Sequence, residues 1–190
     1  LKVMTWHGIF WALAVFGVVM FLWVLLRLPE TLPKERRVPL NLPTMFRNYV
    51  KVIKTREALG YTIASGFLFG GLMSYISASE QLYHEVYDTG DWFALWFAGA
   101  AIAMSVSNLI NSRLVERLGM RLISHAALIA FVIISVVHAV IASQGPVPFP
   151  LFYTLVILAF FCIGFQGPNY NAIAMEPLGA LAGSGAALIG

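Results

Sequence analysis

Charge is scarce in this sequence. Asp, Glu, Lys and Arg make up 11% of its 190 residues, against about 25% in an ordinary soluble domain. From Leu122 to Met175 none of the four occurs. That stretch is too long for one buried helix and long enough for two membrane crossings at about 20 residues each. Cysteine is nearly absent as well. Cys162 stands alone in an apolar run, which excludes a disulfide framework within the chain and any cysteine-built zinc site. It reads as a small core residue. His7, His84, His125 and His138 are scattered, with no two at helical metal-ligand spacing. A Gly-rich phosphate loop with its Lys is missing, so ATP-driven transport has no support. The net charge of +3 comes without any nucleic-acid-binding motif, and no nucleic-acid partner is expected. These absences do not describe an enzyme, and no cofactor or metal is expected. The N-terminus shows neither the basic segment nor the starting Met of a cleavable signal.

What the sequence does contain is hydrophobic residues, 59% of the chain. Charge-free runs mark the spans. Gly8–Leu26, Ala58–Ser79 and Trp92–Ser112 are the first three. The long uncharged stretch divides at Gln144-Gly145-Pro146-Val147-Pro148-Phe149-Pro150, a cluster of helix breakers. That leaves a fourth span near Leu122–Ser143 and a fifth near Leu151–Tyr170. A sixth opens after Pro177 and stops at Gly190, short of a full crossing. Alternation suited to barrel strands is absent. The expected fold is all-α, a polytopic transmembrane helix bundle whose first partner is the lipid bilayer.

Basic residues sit in two loops. The first carries Arg27, Lys34, Arg36, Arg37, Arg47, Lys51, Lys54 and Arg56, and the third carries Arg113, Arg117 and Arg121. The second loop holds Glu80, Glu85, Asp88 and Asp91 with no basic residue, and the fourth has no charge. The positive-inside rule places the first and third loops in the cytoplasm and the second and fourth outside. The fifth, with only Glu176, should be cytoplasmic by alternation. Within the first loop, Pro43 to Arg56 gathers Met45, Phe46, Tyr49 and Ile53 on one helical face, with Arg47, Lys51 and Lys54 on the remainder. That pattern suits an amphipathic helix on the inner membrane surface; an unstructured basic linker is the alternative. Three segments follow: a transmembrane helix at 1–27, a cytoplasmic linker at 28–57 and a helix bundle at 58–190. Trp6, Trp11, Trp92 and Trp96 lie near the predicted interfaces, where tryptophans anchor spans.

Ser112-Arg113-Leu114-Val115-Glu116-Arg117-Leu118-Gly119-Met120-Arg121 resembles the cytoplasmic loop signature of the major facilitator superfamily. Leu114, Arg117, Gly119 and Arg121 match that signature, Glu116 replaces its Asp, and Ser112 and Met120 depart from it. Arg27-Leu28-Pro29-Glu30-Thr31-Leu32-Pro33 is similar to the segment that ends the sixth helix in many of these proteins. Trp6-His7-Gly8-Ile9-Phe10-Trp11 resembles the start of that helix in bacterial drug exporters. Asn171-Ala172-Ile173-Ala174-Met175-Glu176-Pro177-Leu178-Gly179, followed by Ala182-Gly183-Ser184-Gly185-Ala186-Ala187, is similar to the tenth-to-eleventh-helix junction of the bicyclomycin/chloramphenicol-resistance (Bcr/CflA-type) drug:proton antiporters.

The resemblance implies part of a twelve-helix major facilitator fold, helices six to eleven, with helices one to five and helix twelve outside this chain. It implies alternating access, a proton gradient as energy source, a small-molecule substrate, a missing transporter half as partner, and a bacterial inner-membrane location. It also implies a cytoplasmic gate at Glu116, Arg117, Gly119 and Arg121, whose charges can pair in one conformation and separate in another. The substrate-cavity candidates come from polar and aromatic groups within spans, which are costly unless they face a bundle interior or water. They are Phe69 and Tyr75 in the second span and Gln166, Asn169, Tyr170 and Asn171 in the fifth. Gly164, Gly167 and Pro168 beside the latter suggest a broken or bent helix. Asn108 and Asn111 are assigned to packing or the gate, and His125 and His138 to structural hydrogen bonds or a proton relay. Two alternatives stay open: a non-transporting membrane scaffold, and a metabolite exporter or uniporter of the same fold.

Overall fold

Inside hydrocarbon every backbone N–H and C=O must find its partner within the segment, so each long apolar run is driven to helix. A computed structural model describes residues 6–29 and 41–189. Glu30, Thr31, Pro33, Lys34, Arg36 and Arg37, named above, lie outside the described residues, as does the side chain of Trp6. Seven α-helices are present among the described residues: α1 (Trp6–Arg27), α2 (Leu42–Lys54), α3 (Arg56–Gln81), α4 (Phe93–Leu118), α5 (Met120–Ser143), α6 (Phe149–Met175) and α7 (Ala182–Ile189). Among the described residues, five helices are long and apolar enough to cross a membrane, spanning His7–Arg27, Arg56–Val86, Gly90–Leu118, Met120–Ser143 and Phe149–Gly179. These are the five full spans expected from the charge-free runs.

The chain divides into two compact units, Leu1–Asn41 and Leu42–Gly190. In the first, α1 is apolar on every side, which is how a helix facing lipid reads. In the second, α6 occupies the centre and packs against α3, α4 and α5. Its buried residues, Phe152, Leu155, Val156, Phe160, Cys162 and Gln166 among them, lie around the helix rather than along one stripe. The outward surfaces of its neighbours stay apolar, with Phe67, Leu109 and Ile129 exposed. Such continuous apolar surface does not suit water.

The connections follow from local chemistry. Gly119, at φ +79, makes the corner between α4 and α5 as a single residue; a side chain there would be strained. The breaker cluster before α6 ends in Pro148 as its cap, with a second proline in the first turn, where a missing N–H costs nothing. A five-residue π-turn, Leu82–Val86, follows α3 and carries Tyr83 into the core. α6 runs unbroken through Pro168 to Met175, so of the broken or bent helix expected there, no break occurs. Proline has no N–H to give back, so the Gly164 carbonyl loses its helical partner without ending the helix.

Two packed clusters hold the second unit. Tyr83, Ala100, Phe152, Val156 and Phe160 form one, toward the end that carries the acidic loop, with Tyr75, Phe93, Trp96, Phe149 and Tyr153 around it. Val52, Ala58 and Leu178 form the other, at the basic end.

Candidate functional site

Between the two clusters lies a cavity of about 560 Å³. α3 contributes Thr62, Ser65, Gly66, Leu68, Phe69 and Leu72, α4 contributes Met104 and Asn108, and α6 contributes Ile163, Gly164, Gly167, Pro168 and Asn171, with Ile189 of α7 at its edge. Leu72 and Met104 also pack against the acidic-end cluster, so the lining runs from the middle of α3 and α4 to the basic-end half of α6. Its wall is mainly apolar. The polar exceptions are Asn108, Asn171, Ser65 and Thr62. The side chains of Asn108 and Asn171 make no hydrogen bond among the described residues, and both residues are exposed. Thr62 donates to the Ala58 carbonyl at 2.6 Å, which leaves its oxygen free to accept.

Of the six sequence-predicted cavity residues, Phe69 and Asn171 line this space, Gln166 and Tyr170 line a smaller one of about 260 Å³ between α3, α5 and α6, Asn169 is buried, and Tyr75 is half-buried. Asn169 is buried and pairs with Asn111 across α4 and α6. Its Nδ2 donates to Asn111 Oδ1 at 2.9 Å and to the Phe165 carbonyl at 2.8 Å, and Asn111 Nδ2 donates back to Asn169 Oδ1 at 3.3 Å. Gln166 donates to the Cys162 carbonyl at 3.2 Å and accepts from the Tyr170 hydroxyl at 3.2 Å. Tyr75 exchanges a hydrogen bond with Tyr83 at 3.1 Å and meets Phe160 edge-on at 4.8 Å. These are interior residues with satisfied polar atoms, as hydrocarbon burial demands. Asn108 moves the other way. Read as a packing or gate residue, it lines the cavity; one helical turn separates it from Asn111, and that turn decides which amide meets a neighbouring helix.

The close approach of α4 to α6 shapes the cavity's back wall. Gly164 lies against Ser107 and the Met104 carbonyl, with no room for a Cβ. Gly66 on the opposite wall faces open space.

At the basic end, one guanidinium joins three elements. Arg121 Nη2, at the start of α5, lies 3.3 Å from Glu57 Oε1 of α3 and 3.4 Å from Glu176 Oε2, which follows α6. All three side chains are about half exposed, and such pairs contribute between 0 and about 1 kcal/mol each, weak enough to open readily. Sequence reasoning named Arg121 but missed Glu57 and Glu176, because their proximity depends on three helix ends meeting. Glu116 and Arg117 are exposed and make no ion pair among the described residues, and Gly119 forms the corner beside them. The pairing of Glu176 with Arg121 puts the fifth loop on the same side as the third, as alternation requires.

Two histidines also have places. His125 Nε2 lies 3.2 Å from the Tyr61 hydroxyl, bridging α5 and α3 beside a second cavity of about 500 Å³ that includes Arg56 and Glu57. His138 packs edge-on against Phe152. In the acidic-end loop, burial against Phe149 and Phe152 pushes the Tyr87 phenol above its usual pKa. No group of His, Cys, Asp and Glu suited to a metal ion occurs among the described residues.

The Major Facilitator Superfamily model matches residues 1–190. The chain belongs to the Major Facilitator Superfamily, a family of membrane transporters. Among curated relatives, it is 32% identical over 192 residues to the uncharacterized MFS-type transporter YdgK of Bacillus subtilis, covering 98% of this chain and 46% of that protein. It is 34% identical over 119 residues to a bicyclomycin resistance protein homolog of Haemophilus influenzae, covering 62% of this chain and 30% of that protein. The chain therefore spans less than half the length of the relatives it matches. No solved structure matches it.

Proposed function

We propose that this major facilitator chain is helices six to eleven of a proton-coupled exporter, which moves small, largely apolar compounds out across the bacterial inner membrane by alternating access. The observation that carries this reading is the cavity between α3, α4 and α6. It has the size of a small-molecule site, apolar walls and a few polar groups, which is the composition of pockets that bind drug-sized ligands. By the positive-inside rule its end of the bundle is cytoplasmic, so it is placed to collect a compound from inside the cell. The Haemophilus relative's name attaches bicyclomycin resistance to that protein, which makes bicyclomycin the first compound to try.

Phe69 supplies the aromatic wall, and Asn108 and Asn171 supply the polar contacts. Arg121, with Glu57 and Glu176, forms the cytoplasmic latch, and Glu116, Arg117 and Gly119 flank it on the signature loop. Transport is to be measured with the complete transporter in proteoliposomes under an imposed pH gradient. Asn171→Leu and Asn108→Leu should change which compounds are carried while leaving folding intact. Uptake that ignores the pH gradient would remove proton coupling and favour a uniporter of the same fold. An unchanged range of compounds in both variants would remove the cavity from the substrate path.

A further inference from the structure

The apolar arc of α2 is divided between two uses. Along one edge Val52 is almost fully buried at 1% exposure, packed with Ala58 and Leu178. Along the other edge Leu42, Phe46 and Ile53 remain 79%, 71% and 46% exposed. These three recur at intervals of four and seven residues, so they form one stripe. Arg47, Lys51 and Lys54 are exposed beside it, and the helix contains no acidic residue.

The level at which this face sits is fixed. Thr55 is the single non-helical residue between α2 and α3, and α3 is a membrane-crossing helix that begins at Arg56. Thr55 is tied back to α2 by backbone and hydroxyl hydrogen bonds to the Lys51 carbonyl at 3.1 and 3.0 Å. The Val52–Ala58–Leu178 cluster clamps the corner from the other side. The helix that carries the exposed stripe is therefore joined through one residue to the end of a span, where hydrocarbon gives way to headgroups.

We propose that α2 binds the anionic phospholipids of the inner leaflet, with Leu42, Phe46 and Ile53 inserted at the acyl boundary and Arg47, Lys51 and Lys54 on the phosphate headgroups. An exposed apolar stripe bordered by basic residues only, held at the membrane surface, matches an anionic interface in both polarity and charge. The site is distinct from the cavity and independent of what the transporter carries. Through Val52 and Leu178 it connects the membrane surface to the junction between α6 and α7.

The test places the complete chain, with Cys162→Ala, in lipid nanodiscs and attaches a spin label at Phe46→Cys. In phosphatidylethanolamine–phosphatidylglycerol discs the label should be reached by oxygen and shielded from a water-soluble nickel chelate. Replacing phosphatidylglycerol with phosphatidylcholine should raise its nickel access. Equal nickel access in the two lipids overturns the proposal. So does a label shielded from both probes in every lipid, since protein rather than lipid would then cover the face. A second readout leaves the apolar stripe untouched: phosphatidylglycerol retained by the protein in native mass spectrometry. Arg47→Gln, Lys51→Gln and Lys54→Gln should each weaken retention roughly fivefold, and retention unchanged in all three contradicts the assignment.

Discussion

The two halves of the Leu42–Gly190 unit are built from the same helices but different chemistry. Toward the acidic loop, α3, α4 and α6 meet through rings. Tyr83 touches Phe93, Phe149 and Phe152, and Trp96 meets Phe149 and Tyr153. Toward the basic end the same helices present Gly66, Gly164, Gly167 and amides, and they enclose a cavity. Rings fill the space between helices; small residues and a proline leave it open. One end of the bundle is sealed and the other is hollow, an asymmetry suited to a wall that admits a ligand from one side.

Substitutions can break this contrast. The largest effect is expected at the sealed end, where Tyr83→Ala empties the centre of the ring cluster and should cost about 3 kcal/mol or more, read as a loss of thermal stability in detergent. Tyr83→Phe, which removes only the bond to Tyr75, should cost about 1 kcal/mol. Gly164→Ala should follow at about 1–3 kcal/mol, because its Cβ would meet the Met104 backbone, which cannot move aside as a side-chain tip can. Gly66→Ala, facing open space, should leave stability unchanged while narrowing the cavity, so the pair separates packing from lining. Asn169→Ala should cost about 1–2 kcal/mol by stranding Asn111 between two helices, whereas Asn171→Ala should be neutral in stability and visible only in transport. The smallest thermodynamic effect is expected for Arg121→Gln, below about 1 kcal/mol. Its signature should be kinetic, a changed rate of conformational exchange under labelling.

The spans were legible in the sequence because the signal is composition over about 20 residues, and lipid leaves the backbone no alternative to helix. The amphipathic α2 was legible for a related reason, since its charges and apolar residues alternate at helical spacing. Which apolar edge would be used internally was not, because that depends on where Leu178 arrives from a distant loop. The cavity was half legible. Sequence pointed to the polar cluster around Pro168, and Asn171 is there, but Asn169 turns toward α4, and Gln166 and Tyr170 toward α3 and α5. Consecutive helical residues point about 100° apart, and the positions of all three neighbours decide which sides of α6 they cover. Tyr75 was ambiguous for a similar reason: a hydroxyl on an aromatic ring suits a pocket and a buried pair equally, and its partner Tyr83 lies in the π-turn after α3. Nothing local to Glu57 or Glu176 signalled that both would meet Arg121.

One end of the bundle is open and the other closed, and Ser65 and Ser79 of α3 report on the two with nearly isosteric changes. Ser65 lines the cavity, while Ser79 is 1% exposed. With Cys162 replaced by Ala, Ser65→Cys should react quickly with a small water-soluble maleimide and Ser79→Cys should stay unmodified until the protein unfolds. Equal reaction at both positions, or an inert Ser65→Cys, would contradict the account.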